Sequence, residues 1–311
     1  MVQRYLKYTI STDDVERKSY INLAKDLSAI NRQLFRQARM YKVKSIQVID
    51  DDEAKFIQFG MAPNTWAMSN AVKRAFRRWN EMNAQVLQDQ PSLKARWNDF
   101  KPYLSYNHLR AEAGTAQSYM LETPEDINGA NVQYGEWKYS MFESPDGTSS
   151  VDGYQVGILG GHEGETGAYD YVGLIKSYGD ARGTVNQQEP NVNVNAASDD
   201  PLVNLLDAGS QFDEIAENII QEGDRPPYAL GNAAGEDYVG SSNNMPDPLM
   251  FAECNPSGAV DGRQKIYNVD VPLGVIRIDH STEQNTGGTT FTVIIEVAEG
   301  KYKGIHSESM V

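Results

Sequence analysis

The stretch Thr289–Val297, TTFTVIIEV, carries the clearest secondary-structure signal of the chain. Every second residue from Phe291 to Val297 is apolar, and the residues between them are polar apart from Ile294, which is the pattern of a strand with one buried face. The four residues before it, 285–288 (NTGG), have the composition of a turn. We therefore expect this segment and the turn before it to form a β-hairpin inside an antiparallel sheet.

Other short runs with strand character recur along the chain and are separated by long loops rich in Gly, Asn, Asp, Ser and Thr. Predicted strands cover 5–10, 43–50, 54–60, 136–142, 153–159, 169–176 and 274–278. Many short strands with long loops favour an antiparallel sandwich. About eight to ten strands suit one jelly roll rather than two. The predicted fold class is therefore mainly β, a single antiparallel jelly-roll sandwich over residues 1–311 with inserted α-helices.

Helical periodicity marks the places where the strand pattern is interrupted. One helix is predicted over 22–39 and a longer one over 64–88, each with apolar residues at spacings of three and four. Their apolar faces are formed by Leu27, Ile30 and Leu34 in the first helix, and by Met68, Val72, Phe76, Trp79, Met82 and Val86 in the second. We assign 1–42 to an N-terminal strand-and-helix extension, and 64–104 and 200–228 to helical insertions.

Charge is distributed unevenly along the chain. The net charge is −15, but residues 1–110 hold 19 Lys and Arg against 11 Asp and Glu, a balance of +8, whereas residues 111–311 hold 9 against 32, a balance of −23. Such asymmetry suggests two surfaces that meet different environments.

Seven basic residues of the first third are candidates for contact with nucleic acid. They recur at spacings of one to four residues on the two predicted helices: Arg32, Arg36, Arg39, Lys73, Arg74, Arg77 and Arg78. Like charges at these spacings disfavour an isolated helix, so an anionic partner or solvent must compensate them. They suit sequence-independent contacts with phosphates. The alternative is that they pair with the many acids of the C-terminal region, within the chain or across subunits.

Signals for enzyme chemistry are weak throughout the sequence. The single cysteine, Cys254, excludes an internal disulfide and a multi-cysteine zinc site. The acidic segments 50–53 and 162–165 look like turns or loops rather than metal sites, and no nucleophile elbow, phosphate-binding loop or dinucleotide fingerprint occurs. We therefore expect no catalytic residue, metal, cofactor or small-molecule substrate.

Six short motifs, spread from end to end, connect this chain to a known family. They are DLSAINR at 26–32 followed by RQ at 36–37, WNEMN at 79–83, KARWNDFK at 94–101, GEWKYS at 135–140, GDRPPY at 223–228 and GKYKG at 300–304. In these motifs the chain resembles predicted capsid proteins of small circular DNA viruses found in environmental sequence collections. The resemblance implies a jelly-roll shell protein without enzymatic activity, and it transfers no catalytic residues.

The expected function is therefore that of a viral major capsid protein, made in the host cell and located in the virion, which self-assembles into an icosahedral shell around a DNA genome. Its expected partners are further copies of itself, packaged viral DNA or an internal membrane, and a host receptor. The alternative is a non-enzymatic β-sandwich that binds carbohydrate or a receptor, as a spike or lectin-like module does. A β-sandwich glycosidase would instead need a cleft with two carboxylates.

Overall fold

The structure is a computed structural model, and it describes residues 2–50, 55–89, 91–92, 99–114, 118–126, 128–145, 151–165, 168–183, 247–256, 262–282 and 289–311. The strands of this part of the chain are β1 (Tyr5–Thr12), β2 (Arg17–Asn22), β3 (Arg39–Ile49), β4 (Lys55–Met61), β5 (Tyr119–Leu121), β6 (Met141–Pro145), β7 (Val151–Gly157), β8 (Glu163–Glu165), β9 (Ala168–Gly173), β10 (Leu249–Cys254), β11 (Arg263–Pro272), β12 (Val275–Thr282), β13 (Thr289–Val297) and β14 (Ser307–Ser309). The helices are α1 (Leu23–Asn31), α2 (Trp66–Asp89), α3 (Tyr106–Glu112) and α4 (Leu174–Gly183).

Two curled antiparallel sheets form a sandwich. The first sheet has the order β1-β13-β3-β11, with β14 also paired to β3, and the second has the order β10-β4-β12-β2-β5. Every pairing in them is antiparallel except that of β2 with the short β5. The mainly β, antiparallel sandwich expected from the sequence is confirmed.

One hydrophobic core fills the space between these sheets. Side chains with no exposed surface come from both of them, among them Tyr8, Val48 and Val293 from the first sheet and Phe59 and Ile278 from the second. Successive side chains of a strand point to opposite faces, so each strand turns every second residue to the core. The eight residues of β1 show this directly, since they alternate between exposed and buried.

The strands of the sandwich are paired in a nested way along the chain. β1 pairs with β13, β2 with β12, β3 with β11, and β4 with β10. The first and third of these pairs belong to one sheet, and the second and fourth to the other. The chain therefore alternates between the two sheets from β1 to β4 and again from β10 to β13.

This alternation overturns the predicted hairpin. β13 pairs with β1 and β3, whereas β12, the strand before it, pairs with β2 and β4 in the opposite sheet. The hairpin prediction was wrong because a period of two identifies the buried face of a strand and carries no information about its partner. The turn residues 285–288 lie outside the described residues.

The N-terminal segment is also different from the prediction. The first 42 residues do not form an extension, because β1 and β2 are hydrogen-bonded members of the two sheets. α1 is shorter than the predicted helix 22–39: it begins after the N-cap Asn22 and ends where Arg32 takes the left-handed conformation, with φ 52°. Arg32, Arg36 and Arg39 therefore do not share a helix face, and Arg39 is the first residue of β3.

Residues 62–248 form one long insertion between β4 and β10. α2 lies close to the predicted helix 64–88, and a third sheet with the order β6-β7-β9-β8 packs beside it. The predicted strand 136–142 begins only at Met141, and the predicted strand 169–176 gives way to α4 at Leu174. Residues 99–104 of the predicted insertion 64–104 are not helical, and the predicted insertion 200–228 lies outside the described residues.

The insertion covers the outer face of the second sheet. Tyr20 of β2 stacks on His108 of α3, with ring centroids 4.8 Å apart. Below this contact the guanidinium of Arg277 is almost fully buried, and it donates to Asp279 at 2.6 Å and to Asp247 at 2.9 Å. Loss of a partner from a buried cation is costly. The pair with Asp279 lies within β12, and the pair with Asp247 ties β12 to the segment that leads into β10.

Candidate functional site

α2 presents two different faces. Met68 and Val72 are fully buried in a second hydrophobic core between the insertion and the sandwich. The basic residues of the helix are all exposed on its other side: Lys73, Arg74, Arg77 and Arg78. The helix is thus anchored through its apolar side, which leaves four long basic side chains at the surface.

The three arginines of this basic face, Arg74, Arg77 and Arg78, border a cleft of about 550 Å³ between α2, α4 and the third sheet. Most of the other lining residues are apolar or aromatic: Ala71, Ala75, Met82, Phe142, Tyr154, Val156, Val172, Leu174 and Tyr178, together with Glu81 and Ser177. Phe142 and Tyr154 lie nearly parallel, with ring centroids 5.9 Å apart. Concave sites of this size, mostly apolar with a few charged groups at one side, are typical of binding sites.

The charges of this cleft are only partly compensated. Arg78 donates to Glu81 at 3.1 Å on the same helix, and both side chains are about two thirds exposed, 65% and 63%. Such an exposed pair contributes little. Within the described ranges, no carboxylate lies at ion-pair distance from Lys73, Arg74 or Arg77. The predicted alternative, pairing with acids of the same chain, is therefore not seen for these three residues in that part of the molecule.

The three N-terminal arginines lie elsewhere and differ from one another. Arg39 is held in place, since its guanidinium donates to the hydroxyl and the carbonyl of Ser307, each at 2.8 Å, and lies over the ring of Tyr302 at 3.8 Å. Arg36 has an exposed side chain, and its backbone N–H donates to the Tyr302 hydroxyl. Arg32 borders a smaller cavity of about 290 Å³, beside the segment that contains Tyr134. The seven predicted residues therefore do not form one surface.

The aromatic and aliphatic floor of the larger cleft was missed by sequence reasoning. Its residues come from β6, β7, β9 and α4, and none of them carries a motif that marks a ligand site. A buried Tyr or Val looks the same in sequence whether it faces a core or a cleft. Only the packing of α4 against α2 brings these side chains to the arginines.

A serine and a histidine meet inside the sandwich. The Ser19 hydroxyl lies 2.9 Å from His280 Nε2 and donates to Glu122 at 2.6 Å. Hydrolases activate a serine in this way, but there the carboxylate orients the far nitrogen of the imidazole. Here Glu122 bonds to the serine itself, both Ser19 and His280 have 0% exposure, and burial lowers the pKa of His280 to about 4. The group therefore links β2, β12 and the segment after β5.

The other reactive residue types are also buried. His108 accepts the backbone N–H of Leu104 and stacks on Tyr20, and burial lowers its pKa to about 3, so it is neutral. Burial raises the pKa of Cys254 to about 11, so its thiol is protonated at neutral pH. Across the described ranges, no group of three or more His, Cys, Asp or Glu side chains is placed to hold a metal ion. Residues 51–54 of the acidic turn lie outside those ranges.

Comparison with known proteins adds no relative. No family model matches the chain, and neither the curated proteins nor the solved structures include a significant match. In the described part of the chain, no helix has the length and apolar character needed to cross a membrane. The fold and the site define the molecule as a β-sandwich with one large insertion that carries a basic, apolar-floored cleft.

Proposed function

We propose that this chain is a single jelly-roll subunit of a viral shell. The observation that supports it is the nested pairing of β1 with β13, β2 with β12, β3 with β11 and β4 with β10. A ribbon of four antiparallel strand pairs, wrapped so that successive pairs alternate between two sheets, is the eight-stranded arrangement of a jelly roll. The strands β5 to β9 all belong to the insertion and stand outside this count.

Jelly rolls occur in viral capsids and in lectins, so the fold alone does not choose between them. The insertion supports the shell, because its described elements α2, α3, α4 and the sheet β6-β7-β9-β8 lie outside the eight paired strands and add surface to the sandwich. Stable contacts between subunits bury roughly 1,000 Å² or more. Exposed aromatic and apolar side chains on the sandwich, such as Tyr267 at 63% and Leu249 at 42%, suit such contacts.

The basic face of α2 supports contact with the packaged DNA. Three basic residues of α2 have no carboxylate partner in the described part of the chain: Lys73, Arg74 and Arg77. An anion from outside the chain would neutralise their positive charge. Phosphates fulfil this role without base recognition, and the binding falls steeply with salt. In the assembled shell α2 faces the lumen, and the acidic remainder of the chain faces outward.

Electron microscopy and size-exclusion chromatography of the purified chain test the shell directly. We expect closed particles, or pentamers and larger species that convert to particles, over a range of salt and pH. A chain that stays monomeric at high concentration under all of these conditions overturns the proposal.

One observation favours the alternative, a carbohydrate- or receptor-binding sandwich. The 290 Å³ cavity combines two cations, Lys25 and Arg32, with the aromatic side chains of Tyr134 and Trp137. Sugar binding by a stable monomer, lost on Arg32→Ala, would establish that alternative in place of the shell.

A further inference from the structure

A long irregular segment closes one side of the sandwich. Residues 122–126 and 128–140 connect β5 to β6 and contact the edges of both sheets; we call this segment the strap. The backbone N–H of Glu122 donates to the Tyr20 carbonyl of β2 at 2.9 Å, and that of Glu125 donates to the Lys7 carbonyl of β1 at 2.8 Å. The strap thus occupies the Lys7 carbonyl on the edge of β1 that faces away from β13.

A buried carboxyl joins the strap to two elements of the sandwich. Asp26 of α1 is 1% exposed, and it accepts one hydrogen bond of 2.6 Å from the Tyr8 hydroxyl of β1 and another of 2.6 Å from the Tyr134 hydroxyl of the strap. Strand, helix and strap therefore meet at this one side chain. A helix needs no buried carboxylate in its first turn, so the helix itself does not account for its position.

A second carboxyl fastens the beginning of the strap. Glu122 accepts the Ser19 hydroxyl at 2.6 Å, and burial raises its pKa. Burial also raises the pKa of Asp26 to about 7, against the lowering effect of its two tyrosine hydrogen bonds, and the charge of Glu122 raises it further. Both carboxyls are thus more easily protonated in the folded chain than in water.

The other charged groups around Asp26 oppose the rise of its pKa only weakly. Lys25 lowers the pKa of Asp26, but its ammonium lies over the Tyr134 ring at 4.4 Å and 3.9 Å from Glu112. Tyr139 of the strap and Tyr8 remain protonated, since burial raises their pKa values well above the ordinary value of 10.0. Beyond Ser19, His280 is neutral at physiological pH, and it faces Arg17 and Asp13.

We propose that the strap is a pH-sensitive clamp, which protonated Asp26 and Glu122 hold closed and which their ionisation loosens. Opening exposes Asp26 to water, where a carboxyl ionises near pH 3.8. Ionisation therefore favours the open form from about pH 4 upward, by about tenfold per pH unit, and the effect levels off above about pH 7. Opening also uncovers the edge of β1, which is then able to pair with another chain. The clamp does not depend on shell formation.

The strap carries its own control residue. Glu125 accepts the Lys7 ammonium at 2.7 Å and the Thr9 hydroxyl at 2.5 Å, and these bonds lower its pKa. Glu125 therefore stabilises the closed strap fully above the ordinary carboxyl pKa and loses this contribution only toward acid. This pH dependence is opposite in sign to that of Asp26 and Glu122.

Hydrogen exchange of the purified full chain between pH 5 and pH 8 tests the clamp. After correction for the chemical exchange rate, the opening equilibrium constant of the strap amides should rise about tenfold per pH unit up to pH 7. Asp26→Asn should abolish most of this slope and Glu122→Gln should reduce it, while Glu125→Gln should retain it. A slope near zero in the unaltered chain, or an unchanged slope in Asp26→Asn, overturns the proposal.

A second measurement needs no variant. The carbon chemical shift of the Asp26 carboxyl, followed by NMR in the unaltered chain, should titrate near pH 7. A midpoint near pH 4 would show that the carboxylate is charged in the closed strap at neutral pH, and the clamp would then be wrong.

Discussion

The sandwich and its insertion treat their charged residues in different ways. On the first sheet, Lys42 pairs with Asp270 at 2.9 Å and Lys44 with Glu296 at 2.8 Å, each across neighbouring strands. On α2, three basic residues have no such partner within the described residues: Lys73, Arg74 and Arg77. Cross-strand pairs support the sheet that holds them. The basic residues of α2 give no such support to a sheet among the described residues, and this difference is why we assign the external partner to the insertion.

The largest expected effect comes from breaking the buried ion pair within the sandwich. Asp279→Ala leaves the buried guanidinium of Arg277 with Asp247 as its remaining acid, and breaking a buried pair of this kind costs about 3–5 kcal/mol. Glu81→Ala, which removes the exposed partner of Arg78, should cost about 0–1 kcal/mol. Denaturant unfolding measures both variants. Equal losses would mean that burial of Arg277 does not matter.

The next largest effect is the pH dependence of stability that the buried Asp26 gives to the sandwich. The rise of the Asp26 pKa from 3.8 to about 7 corresponds to roughly 4 kcal/mol of stability, present below pH 4 and lost as the pH rises to 7. Asp26→Asn should therefore be more stable than the unaltered chain at pH 8 and show little difference near pH 4. Unfolding curves at several pH values measure this. The prediction is contradicted by a free energy of unfolding of the unaltered chain that rises between pH 4 and pH 7, together with no higher stability of Asp26→Asn at pH 8.

Charge reversal tests whether the α2 surface meets a polyanion. We expect particles with a lower nucleic-acid content from the triple change Arg74→Glu, Arg77→Glu and Arg78→Glu. The slope of log affinity for DNA against log salt concentration should also become shallower, by roughly 3. Reversal of Arg263 and Lys265, which are exposed on β11 of the sandwich, is the matched control and should leave both unchanged. Full particles with normal content would refute the packaging role.

Failure of the triple variant to assemble has a different meaning. It would show that these arginines pair with acids of a neighbouring subunit, because an unpaired charge at a subunit interface blocks association. Particle yield and nucleic-acid content, measured on one preparation, separate the two results.

The smallest effect separates two arginines that look alike in sequence. Arg39→Ala removes two hydrogen bonds to Ser307 and the contact with the Tyr302 ring, and should cost about 1–2 kcal/mol. Arg32→Ala removes an exposed side chain and should change stability by about 0.5 kcal/mol or less. Thermal unfolding resolves the difference. An unchanged stability of Arg39→Ala would show that the Ser307 and Tyr302 contacts of Arg39 do not stabilise the fold.

Local patterns in the sequence predicted the elements that depend on few partners. α2 was predicted within two residues at its start because its apolar stripe and its length are properties of the segment itself. The end of α1 was not predicted, because the left-handed conformation of Arg32 and the entry into β3 are enforced by pairing with distant strands. The Asp26 clamp was missed for a similar reason. An acidic residue in a first helical turn is common in sequence, and only the arrival of Tyr8 and Tyr134 makes it buried.

The sequence by itself determined the class of the fold, the position of its longest helix and the concentration of positive charge in the first third of the chain, because alternation, periodicity and composition are local properties. The tertiary structure alone decided which strands pair, since the alternating pattern of β13 is satisfied equally by any neighbour. It also decided which charges remain unpartnered, because the partners of Arg39 lie more than 260 residues away, whereas Arg74 and Arg77 have none in the described part of the chain. Long-range contacts of this kind depend on how the chain closes on itself, and no short stretch of sequence contains that information.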